Sequence, residues 1–93
     1  MLILPIKKKW FDMILSGEKK EEYREITPYW RARLTDPEPQ AVILRNGYGK
    51  DAPEAMVALH SITIGEGFPE WGAEPGTKYF RLHIKEAKLI KEG

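Results

Sequence analysis

The chain contains no cysteine. Disulfide frameworks and thiolate zinc sites are therefore excluded, and packing and polar contacts must supply all the stability. Absence of cysteine suits a reducing cytoplasm, which is the expected location. There is no apolar run of membrane-spanning length either. Met1-Leu2-Ile3-Leu4 gives way at once to Pro5 and Lys7, too short for a signal-peptide core, and reads as a first β-strand. Net charge is nearly absent: 15 Lys and Arg against 14 Asp and Glu leave +1. Bulk charge thus gives no polyanion footprint, and only local clustering could. No repeat or low-complexity tract occurs. Neither His60 nor His83 has a partner at metal-ligand spacing, and G-x-S-x-G, Walker and H-E-x-x-H motifs are missing. No metal and no cofactor is expected.

What is present describes one small folded domain over residues 1–93. The 42% apolar and 31% charged fractions fit a folded chain rather than a disordered one. A chain of this size hides only about 60–65% of its unfolded surface, so a monomer or weak homodimer is expected.

The order of elements follows from periodicity. Residues 7–16 carry Trp10, Met13 and Ile14 at helical spacing, with Gly17 as the residue that ends the helix. Residues 19–26 read as a strand. Thr27-Pro28 is a helix start, with Trp30 and Leu34 facing inward at i, i+4. Asp36-Pro37-Glu38-Pro39 is a stiff connector. Residues 41–46 form a strand ending in the Asn46-Gly47-Tyr48-Gly49 turn. Residues 55–64 are apolar on both faces, as in a buried barrel strand that would enclose His60. Residues 65–76 form a loop pinned by Phe68 and Trp71. Residues 78–84 alternate, with Phe80, Leu82 and Ile84 inward and Tyr79, Arg81 and His83 outward. Residues 87–90 form a short closing strand. The sum is an α+β fold: a small β-barrel of about five strands with two short helices near the N-terminus.

The chemistry concentrates in Gly17-Glu18-Lys19-Lys20-Glu21-Glu22-Tyr23-Arg24, a mixed-charge run between two Trp-containing apolar segments. Lys7-Lys8-Lys9 opens the first helix, where the macrodipole disfavours cations; such a start either attracts an anion or is merely solvated. Gly17-x-Lys19-x-x-Glu22-x-Arg24 matches the G-x-K-x-x-E-x-R signature of the ASCH domain family. The Asn46-Gly47-Tyr48-Gly49 turn, the Trp71-Gly72 loop and the strand at 79–84 resemble features of short bacterial and phage members. The resemblance implies a PUA-like barrel with a cleft beside the first helix and a role in RNA binding or processing. Some members of the wider family are amidohydrolases of N(4)-acetylcytidine, and others are reported as ribonucleases. In the amidohydrolases the signature lysine is catalytic, which carries over to Lys19. A threonine stands where this chain has Glu22. A further glutamate lies downstream, where Glu66, Glu70 and Glu74 are near in order and none is singled out.

Each residue also has a plain structural reading. Lys19 is a base, nucleophile or anion clamp, or an exposed lysine; beside Glu21 and Glu22, charge alone keeps it protonated. Glu22 is a general acid/base or half of an ion pair with Arg24 or Lys19. Arg24 is a phosphate or base reader or the other half of that pair. Tyr23, Tyr29, Trp30 and Tyr48 are stacking platforms or packing groups, Trp30 the one that reads as core and Tyr48 the most exposed. Asn46 is a base contact or a turn-former. Tyr79, Arg81 and His83 line a polyanion face or are solvated. The expected function is an RNA or modified-nucleoside (nucleotide) binding module, with Gly17, Lys19, Tyr23, Arg24, Asn46 and Tyr48 at the ligand. The alternatives are a small hydrolase using Lys19 and Glu22, and a non-catalytic interaction protein.

Overall fold

The computed structural model describes all residues, Met1–Gly93. Five strands and two α-helices appear in the order β1 (Ile3–Ile6), α1 (Lys8–Ser16), β2 (Glu21–Glu25), α2 (Pro28–Leu34), β3 (Ala41–Asn46), β4 (Glu54–Glu66) and β5 (Lys78–Lys91). A single 3-10 turn, Pro69–Trp71, lies between β4 and β5. No helix is long and apolar enough to cross a membrane. The strands form one mixed sheet in the order β1-β3-β4-β5-β2. β1 runs parallel to β3, with Ile3 opposite Ile43; the other pairs are antiparallel.

Period-2 alternation builds the core. Leu4 and Ile6, Val42 and Leu44, Ala55, Val57 and Leu59, and Phe80 and Leu82 all bury on one face of the sheet, and Phe11, Ile14 and Leu34 from the helices complete the cluster. α1 ends where Gly17 takes φ +87° and donates its N–H to the Ile14 carbonyl. α2 begins as anticipated, with the Thr27 hydroxyl accepting from Trp30 N–H at 3.2 Å.

The expected closed barrel is corrected to an open sheet: β1 and β2 occupy opposite edges and share no backbone pairing. In a flat sheet four inter-strand spacings would hold those edges roughly 19 Å apart. Instead an Arg24 Nη2 on β2 donates to the Pro5 carbonyl on β1 at 2.9 Å. The sheet therefore curls until its edges face each other across a seam. Leu2 and Ile6 direct their carbonyls to β3 and its following turn, so Pro5 directs its carbonyl to the seam. Having no N–H, it offers no donor there, and the edge cannot zip shut.

Three further expectations change. The strands foreseen at 78–84 and 87–90 are one continuous β5. β2 is shorter than residues 19–26. β4 is longer than residues 55–64 and alternates rather than burying both faces, with Met56 and His60 outward. His60 is exposed, not enclosed, because the pleat that buries Ala55, Val57 and Leu59 sends it to the other face; it also falls between the Leu59–Ile84 and Ser61–His83 pairings without a partner of its own. Leu82→Ala should lower the unfolding free energy by about 2–5 kcal/mol. His60→Ala should shift it by no more than about 0.5 kcal/mol, both measured by urea denaturation.

Candidate functional site: the Lys19–Glu22–Arg24 network and the seam cavity

The C-terminal turn of α1 fixes the backbone of Lys19. After Gly17 reverses the chain, Lys19 N–H donates to the Met13 carbonyl at 2.9 Å. The side chain is thereby sent under the loop rather than along the pleat of β2. Lys19 is only 2% exposed. Its ammonium donates to the Trp71 carbonyl at 2.5 Å and lies 3.4 Å from Glu22 Oε1. The rings of Trp10 and Tyr23 flank it at 5.0 and 4.8 Å from their centroids. Burial pushes the Lys19 pKa below that of a free lysine, and the Glu22 carboxylate only partly opposes this. Charge bookkeeping on the sequence leaves Lys19 an ordinary protonated lysine, because it counts neighbouring charges and not the burial that only the folded chain supplies.

Glu22 is shared. Its Oε1 faces Lys19, and its Oε2 accepts from Arg24 Nε at 3.1 Å and Nη2 at 2.5 Å. Arg24 also sits over the Trp30 ring at 5.3 Å. Both plain readings of the Glu22–Arg24 pair are therefore realised in the fold. The carboxylate joins a buried lysine to a half-buried arginine, and the arginine spans the seam.

The adjacent glutamate makes a second network on the opposite face of β2. Glu21 accepts from Arg81 Nε and Nη2 at 2.9 and 2.8 Å and from the Tyr23 hydroxyl at 3.0 Å, with His83 Nδ1 at 3.5 Å. Burial raises the Glu21 pKa, but the hydrogen bonds from Arg81 and Tyr23 outweigh it and leave the net shift downward. The outward face of Tyr79, Arg81 and His83 is thus neutralised internally. His83 Nε2 meets Thr63 Oγ1 at 2.7 Å, and the Tyr79 hydroxyl accepts from Glu74 N–H at 3.0 Å. Internal bonding thus orders that face. Nothing in the local sequence marked it, because it depends on the β2–β5 register that sets Tyr23 opposite Arg81.

Between the sheet edges lies a cavity of about 720 Å³. Lys7, Lys8, Arg24, Trp30, Asn46 and Tyr48 line it, together with Glu22, Tyr23, Tyr79 and Gly72. Tyr48 is 87% exposed at its mouth, as anticipated for the glycine-rich turn. Trp30, expected as core, packs against the core and also forms a wall. Of the residues anticipated at the ligand, Tyr23, Arg24, Asn46 and Tyr48 come together here, with Glu22. Lys19 lies behind the wall, touching the cavity through Glu22. Gly17 lies elsewhere, in a smaller pocket of about 210 Å³ beside β5 that Lys19 also lines. Tyr23 is less free than a stacking platform requires: its hydroxyl also accepts from Phe68 N–H at 2.9 Å. Glu66, Glu70 and Glu74 do not line the cavity.

Two alkaline effects follow. Lys19 holds its proton less tightly folded than unfolded, so the unfolded chain binds more protons between the folded value and about 10.4, and stability rises with pH there. Lys19→Met should lose this rise, so the wild type gains on it as pH climbs toward the ordinary lysine value of about 10.4, read in denaturation midpoints. Tyr23 shows the reverse sign. Desolvation, aided by the Glu21 carboxylate, raises its pKa to about 12, so stability falls with pH above the ordinary tyrosine value of about 10. Tyr23→Phe should flatten that fall. A separate expectation concerns Glu22→Ala, which leaves two cations unpaired and should cost about 3–5 kcal/mol in the same assay.

Compared with protein-family models, curated proteins and solved structures, the chain finds no match in any of the three.

Proposed function

We propose that this chain is an ASCH-type, PUA-like domain that binds single-stranded RNA or a modified nucleoside in the seam cavity. The observation that carries the reading is the composition of that cavity. Cations (Lys7, Lys8, Arg24) and aromatic faces (Trp30, Tyr48) share one concave site of about 720 Å³, within the usual size range of small-ligand pockets. Stacking on an aromatic face with a cation for the backbone is the general solution for unpaired bases. Glu22 and Glu25 on the wall supply acceptors for exocyclic amino or hydroxyl groups. The curled sheet with two N-terminal helices is compatible with a PUA-like arrangement, the seam standing where barrel closure would be.

One observation favours a second reading, hydrolysis of a nucleoside amide or of RNA. Lys19 is buried, has a lowered pKa and stands 3.4 Å from a carboxylate, a pairing suited to proton transfer. It ranks second because the ammonium is held by the Trp71 carbonyl and does not line the cavity.

Binding of a short fluorescent single-stranded RNA, read by anisotropy over a salt series, decides between them. Affinity should fall steeply with salt, and Lys7→Ala with Lys8→Ala should reduce the salt slope by about 1–2. Tyr48→Ala should weaken binding by about 1–3 kcal/mol per stacked base without changing stability. Turnover of N(4)-acetylcytidine or of RNA, abolished by Lys19→Ala and by Glu22→Gln in folded protein, would establish the second reading. Absence of both binding and turnover leaves the ion pairs with a purely structural role.

A further inference from the structure

The segment 67–77 between β4 and β5 has its own internal bonding. Trp71, Gly72 and Ala73 N–H groups return to Phe68 and Pro69 carbonyls, Thr77 N–H returns to Glu74, and the Phe68 and Trp71 rings meet edge to face at 5.0 Å. It has no strand partner, and Ala73 is its only buried residue. Four hydrogen bonds attach it to the body. Phe68 N–H donates to the Tyr23 hydroxyl, Glu74 N–H to the Tyr79 hydroxyl, Gly76 N–H to Glu66 Oε1 at 3.1 Å, and Lys19 Nζ to the Trp71 carbonyl. Each uses only a backbone group of the segment. Two close approaches complete the seating. A Cβ on Gly67 would meet the Tyr23 ring at 2.5 Å, and one on Gly72 would meet the Trp10 ring at 3.1 Å.

Four groups enclose the Lys19 ammonium: Trp10, Tyr23, Glu22 and Trp71. The first three stand on α1 and β2, and only Trp71 stands on a segment outside the sheet. Gly72, the next residue, is also part of the cavity wall. We infer that residues 67–77 form a lid over Lys19, latched by the Tyr23 and Tyr79 hydroxyls, and that Lys19 meets the seam cavity only when this lid lifts. Few buried apolar contacts and a handful of backbone bonds place such a segment at the low end of local opening free energies, well below global unfolding. When the lid lifts, Lys19 loses its acceptor while Glu22 stays beside it. The lid is thus an internal occupant of the lysine, separate from whatever the open cavity holds. This inference does not depend on an RNA ligand, because it concerns chemical access to one amine.

Acetylation of the intact protein with acetic anhydride, followed by peptide mass spectrometry, reads that access. Lys20, exposed and adjacent, serves as the reference. In the wild type Lys19 should label far more slowly than Lys20, at a rate insensitive to low urea. Tyr23→Phe and Tyr79→Phe should each raise it roughly fivefold, the change expected from losing one hydrogen bond of ordinary net strength. Amide exchange in β4 and β5 should stay unchanged. Labelling of Lys19 as fast as Lys20 in the wild type would overturn the lid. So would Lys19 labelling that rises with urea in step with β4 and β5 exchange, since access would then need global unfolding. The wild-type urea series decides the matter even if either variant fails to fold.

Discussion

One carboxylate holds the working end of this protein together. Glu22 takes the Lys19 ammonium on one oxygen and the Arg24 guanidinium on the other, and Arg24 reaches on to the Pro5 carbonyl. Through this single group the end of α1, strand β2 and the far edge strand β1 share one polar chain. Removing it would strand two cations in a poorly solvated place, and breaking such a set costs far more than an exposed ion pair is worth. The width of the seam depends on the same contact. A backbone ladder would have closed the gap to about 4.8 Å and left no cavity, whereas a side-chain bridge beside a proline keeps the edges near each other and apart.

Period 2 then divides the charged octad. Glu21 and Tyr23 turn to one face of β2, and Glu22 and Arg24 to the other. Neighbouring glutamates thereby serve separate cations: Arg81 on one side, Lys19 and Arg24 on the other. No buried side-chain nitrogen or oxygen is left without a partner. A cluster that reads as a solvated mixture of charge is in fact two satisfied networks back to back. The first anchors the lid through Tyr23, and the second supports the seam.

Much of the fold was legible in local patterns. Gly17 as the stop of α1, Thr27-Pro28 as the start of α2, strand β3 and the inward Phe80 and Leu82 all follow from short-range rules, and each is observed. The misreadings share one cause. His60 reads as interior because its neighbours are apolar, yet strict alternation along β4 sends it to the outer face. Strand count and turn spacing suggest a barrel, although closure depends on which atoms two edges present to each other. Lys19 reads as an ordinary protonated lysine because charge neighbours are visible in sequence and burial is not.

By itself the sequence determined the elements, their caps, the single-signature octad and the exposed Tyr48, because hydrophobic period, capping chemistry and turn propensity act within a few residues. Tertiary structure alone decided where those charges go. Trp71 covers Lys19 from 52 positions away, Arg81 reaches Glu21 across 60, and Arg24 meets Pro5 across 19. Desolvation and ion pairing depend on distance in space, and strand order sets that distance. The octad therefore marked the place, but only the curled sheet and its lid made one lysine buried, one arginine a bridge and the space between two edges a cavity.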